Sequence, residues 1–101
     1  MAKIEKKYLE NLYKAILSLE NMGECEAFFD DICTIQELEA LSQRFEVARL
    51  LHDGKNYVDI NKLTGASTAT ICRVSKCLTY GDGGYETVIQ RLEKAGEENE
   101  I

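Results

Sequence analysis

Residues 56–76 read as two short amphipathic helices on either side of Gly65, and no other stretch narrows the fold as far. A helix-turn-helix needs a residue that tolerates positive φ at its bend, apolar side chains that lock the two helices, and a second helix with small polar and cationic residues outward. Gly65 supplies the bend. Asn56 can cap a helix over roughly 57–63, and Ser67 the next over roughly 68–78, since each side chain can accept a free backbone N–H of the first turn. Ile60 before the bend and Ile71 and Val74 after it are spaced to pack together. That packing leaves Ser67, Thr68, Ala69, Thr70, Arg73 and Lys76 for other faces.

The formal net charge of −6 opposes a nucleic-acid partner at first, because phosphate binding is driven by cationic neutralisation. Its distribution argues the other way. Residues 1–33 hold four Lys against seven acids, and residues 34–54 hold two Arg against four. Residues 55–80 carry Lys55, Lys62, Arg73 and Lys76 against the single acid Asp59, and residues 81–101 hold two cations against six acids. The basic segment is the helix-turn-helix, and acidic flanks would orient it on DNA while limiting non-specific affinity.

A chain of 101 residues fits one domain with a modest core, and a domain this small gains from oligomerising, so a homodimer is expected. Proline is absent, and Leu, Glu, Lys, Ala and Ile favour helices. No run of about 18 apolar residues suggests a membrane span. The N-terminal residues turn amphipathic without a signal peptide's apolar region, so a cytoplasmic location is expected. Cys25, Cys33, Cys72 and Cys77 form no two-residue zinc knuckle and His52 is the sole imidazole, so reduced thiols, no metal and no cofactor are expected. Enzyme catalysis has no support, because a lone His lacks a nucleophile or carboxylate constellation.

Apolar residues at Ile4, Tyr8, Leu12, Ile16 and Leu19, widened by Leu9 and Tyr13, predict a helix that Gly23 stops. Cys25, Phe28, Phe29 and Ile32 suggest a short second helix ending near Asp30-Asp31. Thr34-Ile35-Gln36-Glu37 is a capping box and predicts a helix start at Thr34. Ile35, Leu38, Leu41, Phe45, Ala48 and Leu51 continue it as one helix or a pair kinked near Leu41-Ser42, with Gly54 as the stop. Residues 80–85 read as a turn, because three glycines in four residues would each cost a helix about 1 kcal/mol. Tyr85, Val88, Ile89 and Leu92 restart a helix, followed by an acidic tail expected to fray.

Residues 34–94 resemble the Trp repressor superfamily, and within it the YerC/YecD group of Trp repressor-related proteins. The resemblance is carried by Gly65-Ala66-Ser67-Thr68-Ala69-Thr70-Ile71, then Cys77-Leu78 and Tyr80-Gly81-Asp82-Gly83-Gly84-Tyr85. It implies an all-α, six-helix fold, an intertwined homodimer and a transcriptional regulator that binds double-stranded DNA. The implied organisation is a single domain over 1–95, with dimer-entwining helices in 1–33, core helices in 34–54, the helix-turn-helix in 56–78, a last helix in 84–95 and a frayed tail in 96–101. In that family a bound amino acid sits between two arginines and tilts the reading head toward DNA. Arg44 and Arg73 fall at the matching motif positions, and Thr34 matches a threonine near the same pocket. Val74 and Cys77 depart from the pattern: a branched side chain stands where the indole needs a glycine, and a weak hydrogen-bonding thiol where a serine receives the ligand's amino group. These departures weigh against tryptophan as effector and leave another small molecule open. Asn61 and Thr64 also depart, standing where alanine and an apolar residue are usual before the bend.

The expected DNA-binding set is Lys62, Ser67, Thr68, Ala69, Thr70, Arg73 and Lys76, with hydroxyls and backbone N–H groups on phosphate and the cations on phosphate or a guanine edge. The competing reading is an acidic helical interaction module whose helix-turn-helix serves packing alone. The candidate ligand pocket is Thr34, Arg44, Arg73, Val74 and Cys77, against which Arg44 could equally sit in a surface ion pair with Glu37 or Glu46. Cys72 and Cys77, five apart on one helix, read as ordinary thiols before a redox switch, and His52 as a partner for helix-end carbonyls.

Overall fold

The computed structural model describes residues 3–99, which form six α-helices and no strand. These are α1 (Lys6–Leu17), α2 (Met22–Ile32), α3 (Ile35–His52), α4 (Tyr57–Thr64), α5 (Thr68–Tyr80) and α6 (Gly84–Asn99). The chain divides into two compact units, one up to Leu38 and one from Glu39 onward, so the first turn of α3 belongs to the first.

In the first unit α1 ends at Ser18, five residues before the glycine expected to stop it. The Ser18 hydroxyl donates to the Ala15 carbonyl at 2.6 Å, closing the last turn. Asn21 then opens α2 by accepting from the Glu24 N–H at 2.9 Å, while the Glu24 carboxylate accepts from the Glu20 N–H at 2.9 Å. Gly23 therefore lies inside the first turn of α2: polar side chains at Ser18 and Asn21 satisfy both helix ends, and they set the boundary. The capping box forms as predicted. Thr34 N–H donates to Glu37 Oε1 at 2.8 Å, and Thr34 Oγ1 accepts from Glu37 N–H at 3.1 Å. The backbone N–H of Thr34, and then its side chain, hold the Glu37 carboxyl below its ordinary value.

Neither α1 nor α2 buries a single side chain. Tyr8, Tyr13, Leu17, Met22 and Ile32 all stand in the open, with Leu17 83% and Met22 76% exposed. Phe28 and Phe29 meet edge to face at 5.6 Å, but both remain half-buried.

The second unit holds the core. Its part of α3 passes Leu41-Ser42 without a break. It ends in a Schellman arrangement, with Gly54 at φ 87° and the N–H groups of Gly54 and Lys55 donating to Leu51 and Leu50 carbonyls, both at 3.0 Å. Val47 and Ala48 of α3, Ile60 of α4, Ala66 of the bend, Ile71 and Val74 of α5 and Ile89 of α6 form one buried cluster. Phe45, Leu50, Leu51, Leu78 and Tyr85 pack around it. The expected contact of Ile60 with Ile71 and Val74 is its centre, and each such aliphatic side chain stabilises the unit by about 1.5–3 kcal/mol.

At the far end of α3, His52 faces α6, with Nε2 3.2 Å from Glu93 Oε1 and Nδ1 3.7 Å from Glu86 Oε2. Carboxylates, not helix-end carbonyls, are its partners. The glycine turn is shorter than expected, because Tyr80 completes α5 and Gly84 begins α6. Helix α6 also continues to Asn99, past the expected start of fraying at residue 96. Ala95, Glu97 and Glu98 are good helix formers, which favours that extension, while residues 100–101 fall outside the described part. No helix among the described residues is long and apolar enough to cross a membrane.

Candidate nucleic-acid interface

Helices α4 and α5 are joined by three residues, Gly65, Ala66 and Ser67, and each has a separate task. Gly65 adopts φ 73° and ψ 2°, the left-handed conformation that ends α4, and its N–H donates to the Asn61 carbonyl at 2.8 Å. Ser67 caps α5, its hydroxyl oxygen accepting from the Thr70 N–H at 3.2 Å and its hydroxyl donating to Thr70 Oγ1 at 3.1 Å. Asn56 caps α4 in the same way, accepting from the Asp59 N–H at 2.9 Å.

Ala66, 1% exposed, has both backbone groups bound by side chains of α4. Its N–H donates to Thr64 Oγ1 at 3.1 Å, and its carbonyl accepts from Asn61 Nδ2 at 2.8 Å. The Thr64 hydroxyl itself donates to the Ile60 carbonyl at 2.7 Å, and the Thr64 carbonyl accepts from Gln43 Nε2 of α3 at 3.2 Å. Asn61 and Thr64 thus do more than fit a site that tolerates them: they satisfy both backbone polar groups of Ala66.

On α5 the buried residues Ile71 and Val74 fix which side faces out. At about 100° per residue, Ala69, Arg73 and Lys76 fall nearly opposite them. All three are exposed, as are Ser67 and Thr68, while Thr70 and Cys72 are half-buried. Lys55 and Lys62 of the α4 side are exposed too, lining a shallow hollow of about 220 Å³ with Asp59 and Leu63. Among the described residues none of these four cations is in an ion pair, so each charge is available to a partner. Of the predicted DNA-facing residues, Ala69, Arg73 and Lys76 share the outward face of α5, Lys62, Ser67 and Thr68 are exposed, and Thr70 is half-buried and bonded to the Ser67 hydroxyl in the cap.

The second predicted set is brought together in part. Arg44, Arg73, Val74 and Cys77 line one cavity of about 460 Å³, walled by Leu41, Phe45 and Tyr85. Thr34 belongs to the first unit, where its hydroxyl and N–H are both engaged in the capping box of α3. Arg44 makes no ion pair with Glu37 or Glu46; Glu46 pairs instead with Arg49 at 2.9 Å. Two unpaired guanidiniums over apolar walls can hold a carboxylate or phosphate attached to an apolar body. Val74, 1% exposed, occupies the base of that space, and the exposed Cys77 offers only a thiol. The four cysteines are free thiols, and no cluster of three or more metal-ligating side chains occurs among the described residues. The residues that sequence reading undervalued are Gln43, Asn61 and Thr64. Their signal was polar character where helix packing normally asks for small or apolar groups.

Comparison with known proteins agrees with this geometry. The sequence model of the family described as Trp repressor protein matches residues 7–93. The uncharacterized protein YerC of Bacillus subtilis strain 168 is 48% identical over 97 residues, covering 96% of this chain and 93% of that protein. A crystal structure of a candidate Trp repressor from Staphylococcus aureus superposes with a TM-score of 0.85 at 44% identity, covering 88% of this chain and 89% of that one. A TrpR-like protein from Eubacterium eligens ATCC 27750 gives the same TM-score of 0.85 at 50% identity, with 88% and 92% coverage. Matched across both compact units by one family, and by relatives near half identity, the chain belongs to the Trp repressor family.

Proposed function

We propose that the protein is a homodimeric, sequence-specific DNA-binding transcriptional regulator of the cytoplasm that presents α5 to the major groove. The observation that carries this reading is that the helix-turn-helix segment exposes four cations without an ion pair among the described residues, Lys55, Lys62, Arg73 and Lys76, together with the small exposed residues Thr68 and Ala69 at the start of α5. Side chains of that size let the helix backbone approach base edges, while the cations settle on phosphates. Membership of a family of regulators supports the same reading and gives no support to an enzyme.

Dimerisation rests on the first unit. A helical pair with no buried side chain, exposing Tyr8, Tyr13, Leu17, Met22 and Ile32, gains little by folding alone and much by packing against a second copy. Two copies would set their α5 helices about 34 Å apart, the half-site spacing general to dimeric helix-turn-helix proteins, Trp repressor among them. Selection from random duplex DNA at low salt tests the proposal. Enrichment of a two-fold symmetric sequence supports it; recovery of no sequence, with a protein partner captured instead, favours the interaction-module reading.

A second role is favoured by the Arg44–Arg73 cavity: sensing an anionic small molecule other than tryptophan. Calorimetry with amino acids, indole acids and aromatic carboxylates tests it. Heat of binding or a rise in melting temperature supports the reading, and silence across the series removes it for those ligands.

A further inference from the structure

The bend of the helix-turn-helix is held by side chains in an arrangement that ordinary helix termination does not require. Gly65 and Ser67 already end α4 and begin α5 through a left-handed glycine and an N-cap. Ala66, between them, would be free to rotate its two peptide groups if those alone acted. Instead Asn61 and Thr64 hold its carbonyl and its N–H from the α4 side, and Gln43 holds the Thr64 carbonyl from α3. Two side chains of α4 thus fix Ala66, a third from α3 holds the end of α4 beside it, and Ala66 is the pivot about which α5 would swing. Ala66 and the neighbouring bonds to Thr64 are buried or partly buried, so water is a poor substitute for a lost partner.

We infer that Asn61, Thr64 and Gln43 are positioning residues, which preset the angle of α5 for its half-site. This inference rests on the DNA-binding reading above. It concerns geometry alone: none of the three side chains need touch DNA. Loss of the lock lets α5 sample other angles, and each competing angle lowers the fraction of protein able to dock both half-sites together. Specific binding then weakens, whereas phosphate-driven binding to any duplex, which tolerates many angles, is spared.

The test compares wild type with Thr64→Val, which keeps shape and removes the hydroxyl, with Asn61→Ala at an exposed position, and with Thr64→Ser, which restores the hydroxyl. Affinity is measured for the selected symmetric duplex and for a random duplex over a salt series, using extensively dialysed dimer. The expected result is a fall of roughly fivefold to a hundredfold on the symmetric duplex for Thr64→Val, less than about twofold on the random duplex, an unchanged salt slope, and recovery in Thr64→Ser. Equal losses on both duplexes would mean loss of folded protein and overturn the positioning role, and so would full specificity in Thr64→Val and Asn61→Ala. No binding of either duplex by wild type at low salt overturns the DNA-binding reading itself.

Discussion

Replacing Lys76 with Ala offers a quantitative test of how α5 meets DNA. Lys76 is exposed, lies opposite the buried Ile71–Val74 face and has no acidic partner among the described residues. Its ammonium is therefore not spent within the protein, and its loss removes one phosphate contact per chain. With Lys55, Lys62, Arg73 and Lys76 engaged in each of two copies, eight phosphates are neutralised and log K falls with log salt at a slope of about −7. Lys76→Ala removes two of these contacts in the dimer, so the slope should flatten by about 1.8. The magnitude is easily read: between about 50 and 200 mM salt, wild type should lose about twelvefold more affinity than the variant. Fluorescence anisotropy with one symmetric duplex over that range measures it, with Lys94→Ala on the acidic α6 as the control that should leave the slope unchanged. A Lys76→Ala slope within about 0.3 of wild type, or an equal change from Lys94→Ala, would refute the placement of α5 against the backbone.

Three further outcomes are expected. Ile60→Ala, at a fully buried position, should lower unfolding free energy by about 2–5 kcal/mol, while Val58→Ala two residues earlier and 63% exposed should cost under about 0.5 kcal/mol, both by denaturant melts at fixed concentration. The Glu37 carboxyl is depressed by the Thr34 N–H, so its contribution is full above the unfolded value of about 4.3 and disappears as pH falls through the lower folded value; Glu37→Gln should flatten that acid limb of the stability profile. Leu17→Glu, neutral for an isolated chain in which Leu17 is 83% exposed, should weaken self-association by about tenfold or more in sedimentation experiments.

The helical pattern and the bend were legible because they depend on local chemistry. Gly65 alone among its neighbours accepts a left-handed backbone cheaply, and Asn56, Ser67 and the Thr34–Glu37 pair carry oxygens at cap spacing. The α1–α2 boundary was less legible for the same reason: Gly23 looks like a stop by residue type, yet a serine and an asparagine nearer the ends satisfied the backbone first. In the candidate site, the grouping of Arg44 with Arg73, Val74 and Cys77 followed from the family resemblance alone. Thr34 was legible as the cap of α3 because its partner lies only three residues away. Gln43 could not be read at all, since its partner is the Thr64 carbonyl 21 residues on and nothing local announces such a bond.

That α1 and α2 have no interior of their own has a consequence for abundance as much as for architecture. Under the dimeric reading, order in those helices and the pairing of two reading heads arise in one bimolecular step. Below the dissociation constant the DNA-competent species then grows as the square of chain concentration, so halving synthesis removes three-quarters of it. The apolar residues at Tyr8, Tyr13 and Leu17 would thereby convert a graded change in expression into a sharper change in promoter occupancy, with no effector involved.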